Sequence, residues 1–275
     1  MKPREFFYML GIRPKLKTYP HEVLTYELPR DGKVQYAQWL HPSESRKPVL
    51  QEAVDVMRRY IRPGDVAIDI GAHTGDTAIP MALAAGREGC VLALEPNPCV
   101  FAILKKNSEL NPEKTTIVPL MIAATQESGD FDFEYSDAGL CNGGLHEGVS
   151  RWRHGHAFKL RVRGENLQAY LAEHFPALIP RVRFLKVDAE GYDYQVLESL
   201  KSLISERKPF IKAEVFKHLS LERRELLYDF LAGFGYDVFC VENDLEYPGV
   251  RLNRRDLTAR RHYDVFCMPR GLKRQ

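Results

Sequence analysis

Apolar and polar positions along this chain follow two periods in turn. Short unbroken apolar runs near 66–71, 90–95, 115–123, 183–188, 209–216, 236–242 and 263–268 read as buried strands. Between most of them lie stretches with helical spacing, near 76–86, 98–110, 191–205 and 220–233. Apolar strands separated by helices predict an α/β fold: a mostly parallel seven-stranded sheet with helices on both faces. The last two strands, at 236–240 and 263–267, have no clear helix between them, which predicts an antiparallel edge strand. Upstream, 22–28 and 33–40 bracket Arg30-Asp31-Gly32 as a hairpin would. Leu50, Val54, Met57 and Ile61 then repeat at helical spacing until Arg62-Pro63-Gly64 ends the pattern. The expected division is an N-terminal extension with a β-hairpin, 1–48, and an α/β domain, 49–275.

Residues 125–181 interrupt the alternation. Residues 130–135 and 158–163 alternate like strands, 138–144 are rich in glycine, and 165–175 suit a helix. A glycine-rich, polar insertion over the strand ends suits a substrate lid, and equally a structural hairpin on the sheet edge.

Composition narrows the classes of function. At 275 residues, 44% of them hydrophobic, the chain can bury one large core. Net charge is only +2, which gives no field for non-specific nucleic-acid binding. The basic clusters at 251–261 and 270–274 read as solvated surface. Five cysteines, an odd number with no Cys-x-x-Cys, predict a reducing cytoplasm rather than disulfides or a zinc site. No apolar run is long enough for a signal peptide or a membrane span. An edge strand or the extension could pair two chains as a homodimer.

The chemistry starts at Val66-Ala67-Ile68-Asp69-Ile70-Gly71-Ala72-His73-Thr74-Gly75. An apolar strand ends on an acid, a glycine turn follows, and then a helix, where α/β proteins bind nucleotides. A second apolar run stops on Glu95, 24 positions after Gly71, where a carboxylate can hold the two hydroxyls of a ribose. The dinucleotide fingerprint needs glycine at the position of His73, and no Gly-Lys-Ser/Thr follows. Asp69 would repel a pyrophosphate but attract a cation. These features suit S-adenosylmethionine, which carries a sulfonium, an α-amino group and a ribose and no phosphate. A nucleotide-dependent oxidoreductase and a non-catalytic binding protein that keeps the fold stay open as alternatives.

Three blocks then carry a family resemblance: Asp69-Ile70-Gly71-Ala72-His73-Thr74-Gly75, Leu94-Glu95-Pro96-Asn97-Pro98 and Leu185-Lys186-Val187-Asp188-Ala189-Glu190-Gly191-Tyr192. In this order they resemble the hallmark blocks of FkbM-family methyltransferases, over roughly 50–216. The third is the most specific. His73 stands where the family more often has Asn. The resemblance implies a class I, Rossmann-like, S-adenosylmethionine-dependent methyltransferase fold. It implies O-methylation of a small-molecule, sugar or glycan, or natural-product hydroxyl. On this resemblance the cofactor would meet Asp69, Gly71, Ala72, His73, Thr74, Gly75, Thr77, Glu95, Pro96, Asn97, Ala123 and Asp188.

Methyl transfer to a hydroxyl is an in-line displacement that must also remove a proton. Asp188 and Glu190 end one strand, Glu214 lies in the next, and His218 follows it. Asp188 is expected to accept the proton, or with Glu214 to ligate a divalent metal such as Mg²⁺ or Ca²⁺; capping the following helix is its structural alternative. Glu190 orients the turn or faces the substrate, Glu214 is costly in an apolar strand unless paired, and His218 is a second candidate base. Trp152, Tyr192 and Tyr194 could stack on an acceptor ring, and His146, His154 and His156 could bind metal, although their spacing matches no standard site.

Overall fold

The computed structural model describes residues 17–135, 143–144 and 158–271. Strands β1 (His21–Leu28) and β2 (Gly32–Trp39) form an antiparallel hairpin in which Leu28 pairs with Gly32. Helix α1 (Gln51–Arg58) leads to β3 (Val66–Ile70), α2 (Ala78–Ala85), β4 (Cys90–Leu94), α3 (Pro98–Glu109) and β5 (Ile117–Leu120). Next come β6 (Ala123–Thr125), β7 (Gly129–Tyr135), β8 (Gly143–Gly144), β9 (Phe158–Asn166) and α4 (Leu167–His174). The chain continues through β10 (Val182–Val187), α5 (Asp193–Ser199), α6 (Lys201–Arg207), β11 (Phe210–Val215) and α7 (Leu221–Gly233), and ends with β12 (Tyr236–Val241), β13 (Val250–Arg251) and β14 (Tyr263–Pro269).

The main sheet has the order β13-β12-β14-β11-β10-β3-β4-β5. Strands β5, β4, β3, β10 and β11 run parallel, and β14 runs antiparallel to both β11 and β12. The long antiparallel strand β14 therefore lies two places in from the rim, and the strand at that rim is the two-residue β13. The two similar segments, 236–240 and 263–267, do pair with each other.

Alternation along the parallel strands builds two cores. Val66, Ile68 and Ile70 share one face with Leu185, Ile211 and the helices α4 to α7. Ala67, Ala93, Phe184, Phe210 and Phe266 share the other with α1, α2 and the hairpin. Helix α2 is buried on every side, which its sequence Ala-Ile-Pro-Met-Ala-Leu-Ala-Ala permits. Two expected elements break. The 115–123 run splits at Met121-Ile122 into β5 and β6, and β6 joins a separate four-stranded sheet, β6-β9-β7-β8. The 191–205 helix divides at Leu200 into α5 and α6.

The hairpin is tied into the domain by side chains that imitate a neighbouring strand. The Ala37 amide donates to Asn107 Oδ1 at 2.6 Å and the Ala37 carbonyl accepts from Asn107 Nδ2 at 3.1 Å. Gln35 makes the same pair with Asn111, at 2.7 and 2.9 Å. Two amides from α3 and its end thus satisfy an edge that would otherwise be buried without partners. Tyr36 OH lies 2.7 Å from Thr74 Oγ1, which joins the hairpin to the glycine turn.

Candidate active site

Strand order reverses between β3 and β10, since the chain winds outward from β3 through β4 and β5 and then returns to β10. At such a switch point the carboxyl ends of parallel strands open a crevice. Here it is a cavity of about 390 Å³, walled by Ile70, Leu94 and Ile122 and by polar groups from the three sequence blocks. Of the residues expected to meet a cofactor, Gly71, His73, Thr77, Glu95, Pro96, Asn97, Ala123 and Asp188 line it. Asp69, Ala72, Thr74 and Gly75 are not among the described lining residues.

Those four shape the turn instead. The amides of Gly71 and Ala72 both donate to the Leu94 carbonyl, at 3.1 and 2.9 Å, and the Gly75 amide donates to the Ala72 carbonyl at 2.8 Å. The Thr74 carbonyl accepts from Asn107 Nδ2 at 2.7 Å. Gly71 has φ +74°, and a Cβ there would stand 2.0 Å from the Asp188 carbonyl oxygen. The first and third blocks therefore touch, and only glycine allows it. His73 has φ 49°, a left-handed conformation that Asn, Asp and His adopt more readily than other side chains.

Glu95 is buried, and its two oxygens face backbone donors: His73 N at 3.2 Å and Asn97 N at 2.9 Å. Burial pushes its carboxyl up to about 7, against the pull of the two amides. Asn97 caps α3 by accepting from Cys99 N at 3.0 Å. Phe133 and Tyr135 of β7 reach the same cavity, so the inserted sheet contributes to its wall. Burial, then the nearby Glu95 charge, holds the Tyr135 phenol well above its usual range.

Asp69, expected to attract a cationic ligand directly or through water, lies behind the described cavity wall. Asp69 is fully buried, with Oδ2 accepting from Thr77 Oγ1 at 2.6 Å and Oδ1 standing 3.2 Å from Lys186 Nζ. Lys186, next to Asp69 in the β3–β10 register, also donates to the Gly71 carbonyl at 2.9 Å and lies 3.6 Å from Asp188 Oδ2. Burial opposes its charge, but Asp69 and Asp188 outweigh burial and hold the ammonium above its ordinary range. Asp69 thus acts through Lys186 and Thr77, which do line the cavity.

Asp188 follows β10 with its side chain 45% exposed toward the cavity. It does not cap α5: the N-cap position is Tyr192, and Asp193 Oδ2 takes the Gly191 amide at 3.2 Å. Glu190 also lines the cavity, with φ 52°, and burial with Asp188 raises its carboxyl. Asp193 is buried, accepts the Glu214 amide at 3.1 Å, and is pushed up to about 8 by burial and then by Asp188.

Glu214 and His218 are not brought to the cavity among its described lining residues. Glu214 is buried against His262, with Oε1 2.7 Å from Nε2. Burial and then the carboxyls of Asp188, Asp193, Glu190 and Asp264 push it up to about 10. At neutral pH its carboxyl therefore keeps its proton. His218 sits exposed beyond β11 with its ring against Phe216, at 5.3 Å. Among the described residues no group of three or more His, Cys, Asp or Glu could hold a metal ion. Tyr192 reaches the cavity wall, whereas Tyr194 bonds Glu198 Oε1 at 3.1 Å and packs on Phe230. Trp152, His146, His154 and His156 lie outside the described residues.

Sequence reasoning assigned no role to Lys186, Tyr135, Glu44 or Lys47, all of which line the cavity. A signal existed for Lys186: a lysine inside an apolar strand needs a buried anion. Among the described residues no helix is long and apolar enough to cross a membrane.

An eight-stranded sheet of this order, with an inserted antiparallel strand and a glycine turn at its switch point, is the Rossmann-like fold of class I methyltransferases. The sequence model of the methyltransferase FkbM domain matches residues 69–238. The chain belongs to the FkbM methyltransferase family. Among solved structures it is similar to a methyltransferase FkbM from Methylobacillus flagellatus KT (12% identity, 78% of this chain and 50% of that one, TM-score 0.45). It is also similar to M. jannaschii TYW2 in complex with AdoMet (14% identity, 94% and 89%, TM-score 0.44). A third is Aeropyrum pernix fibrillarin with bound S-adenosyl-L-methionine (12% identity, 94% and 100%, TM-score 0.44). No curated protein sequence matches significantly.

Proposed function

We propose that this chain transfers a methyl group from S-adenosylmethionine to a hydroxyl oxygen of a sugar, glycan or other natural-product acceptor. One observation carries the reading: Gly71, Glu95 and Asp188, one from each block, face a single cavity. The cavity fits such a cofactor. Its 390 Å³ falls in the range of small-molecule sites, about 300–1,000 Å³. Each Glu95 oxygen accepts one backbone amide, so each keeps a lone pair for a ribose hydroxyl. Phe133 and Tyr135 offer apolar ring surface to the base.

Bound S-adenosylmethionine supplies a methyl group on a sulfonium, electrophilic toward an oxygen nucleophile. The side chains of Ile70, Leu94 and Ile122 keep bulk water from the reacting atoms. Asp188 accepts the proton of the acceptor hydroxyl, and Lys186, tied to Gly71 and Asp69, holds that carboxylate in place. Four described cysteines, all free, suit work in a reducing cytoplasm. The test is Asp188→Asn. S-adenosylhomocysteine affinity by calorimetry should stay within about twofold of wild type. Turnover of the donor with a panel of hydroxylated acceptors should fall about 100-fold or more. Undiminished turnover would remove Asp188 as the base, and a wild type that binds no S-adenosylhomocysteine would overturn the whole reading.

A further inference from the structure

The segment between β2 and α1 enters the cavity from outside the 69–238 region that matches the family. It is held in place rather than draped. The Lys47 amide donates to Gln38 Oε1 at 2.8 Å, Gln38 Nε2 donates to the Ser45 carbonyl at 3.2 Å, and the Glu44 amide donates to the His41 carbonyl at 2.9 Å. From this segment Glu44 and Lys47 join Asp76 and His73 on the cavity wall. Lys47 Nζ lies 2.8 Å from Glu44 Oε1, 3.2 Å from Asp76 Oδ1 and 3.3 Å from His73 Nδ1.

Resting on the cofactor reading above, we propose that Glu44, Lys47 and Asp76 form a subsite for the zwitterionic amino-acid end of the methyl donor. Lys47 takes its carboxylate, and Glu44 with Asp76 takes its ammonium. Position supports this. His73 spans the two ends of the site, with its amide on Glu95 and its ring beside Lys47. A ligand whose ribose sits on Glu95 therefore needs to extend past only one residue to reach the cluster. Charge supports it too. Two carboxylates and one ammonium sum to −1, opposite to a donor with a sulfonium, an ammonium and one carboxylate, which sums to +1. Burial opposes ionisation, yet Asp76 and Glu44 raise Lys47, and Lys47 with His73 lowers Asp76, so both stay charged at neutral pH. The ligand carboxylate replaces the longest of the three Lys47 contacts, the one to His73. Lys186 is less suited, because its side chain is only 6% exposed, against 22% for Lys47.

The experiment compares two ligands on the full chain by titration calorimetry. S-adenosylhomocysteine carries the amino-acid end, and 5′-methylthioadenosine shares its adenosine and sulfur but lacks it. Lys47→Met should weaken S-adenosylhomocysteine about tenfold or more and leave 5′-methylthioadenosine within about twofold. Glu44→Gln should show the same selectivity and serves if Lys47→Met does not fold. Equal losses for both ligands would mean that the cluster only shapes the turn, and no loss for either would mean that it faces away from the ligand; each overturns the proposal. A wild type that binds 5′-methylthioadenosine but gains nothing from the amino-acid end would overturn the subsite alone, whereas one that binds neither ligand would overturn the cofactor reading.

Discussion

Gly71→Ala measures how tightly the first and third blocks are pressed together. Two costs add. Alanine at φ +74° sits in the left-handed region, at about 1–2 kcal/mol. Its methyl would also stand 2.0 Å from the Asp188 carbonyl oxygen, which is backbone and cannot rotate away. The end of β3 must then part from β10, stretching the bond from the Asp188 amide to the Ile70 carbonyl, now 3.0 Å, at about 1 kcal/mol for a lost hydrogen bond. With the strained packing around it, the total should reach about 3 kcal/mol or more, a large part of a typical stability of about 5–15 kcal/mol. Gly64→Ala is the control. It has φ +92° but nothing within 4 Å of its Cβ, so it should show the backbone cost alone. Urea unfolding of both variants gives the stabilities, and calorimetry with S-adenosylhomocysteine shows whether the cavity survives. If Gly71→Ala costs no more than Gly64→Ala and binds as wild type does, the claim that glycine is required by this crossing is wrong.

Lys186→Met should cost about 3–5 kcal/mol by leaving Asp69 buried without its cation. Adding Asp69→Asn should recover part of that loss, and additive losses in urea melts would show that the two are not coupled. Glu95 moves from its ordinary 4.5 up to about 7 on folding, so the stability it contributes is present below pH 4.5 and is lost as pH rises to 7, roughly 3 kcal/mol in all. Glu95→Gln should flatten that part of the stability profile. Over the same window wild-type affinity for S-adenosylhomocysteine should rise as the carboxylate forms, and a flat affinity would count against Glu95 as the ribose acceptor.

Much of the fold was legible because its signals are local. The run from Val66 to Ile70 is apolar at every position but Asp69, and all five residues are buried in β3. The hairpin was readable from alternation around Asp31-Gly32. What stayed hidden depended on contacts across the sheet. Whether 236–240 or 263–267 pairs with β11 is decided by packing across the sheet, and their sequences are almost the same. The break at Met121-Ile122 moves three residues into another sheet, although the apolar run continues through it. Glu214 looked like a site residue because it is an acid in an apolar strand. Its partner is His262 on the neighbouring antiparallel side, and the nearer histidine in sequence, His218, stands outside with Phe216.

The sequence by itself determined the strand-turn-helix unit at Gly71, the acid that ends β4, and the tight turn after Asp188. Each needs only contiguous residues: an apolar run to bury, and a glycine where the backbone must turn left-handed. Tertiary structure alone decided which charges meet. Lys186 reaches Gly71 across a separation of 115 residues, and Lys47 reaches His73 across 26. A buried charge takes whichever opposite charge the packing places within a few ångströms, and a linear pattern of residue types does not contain that distance.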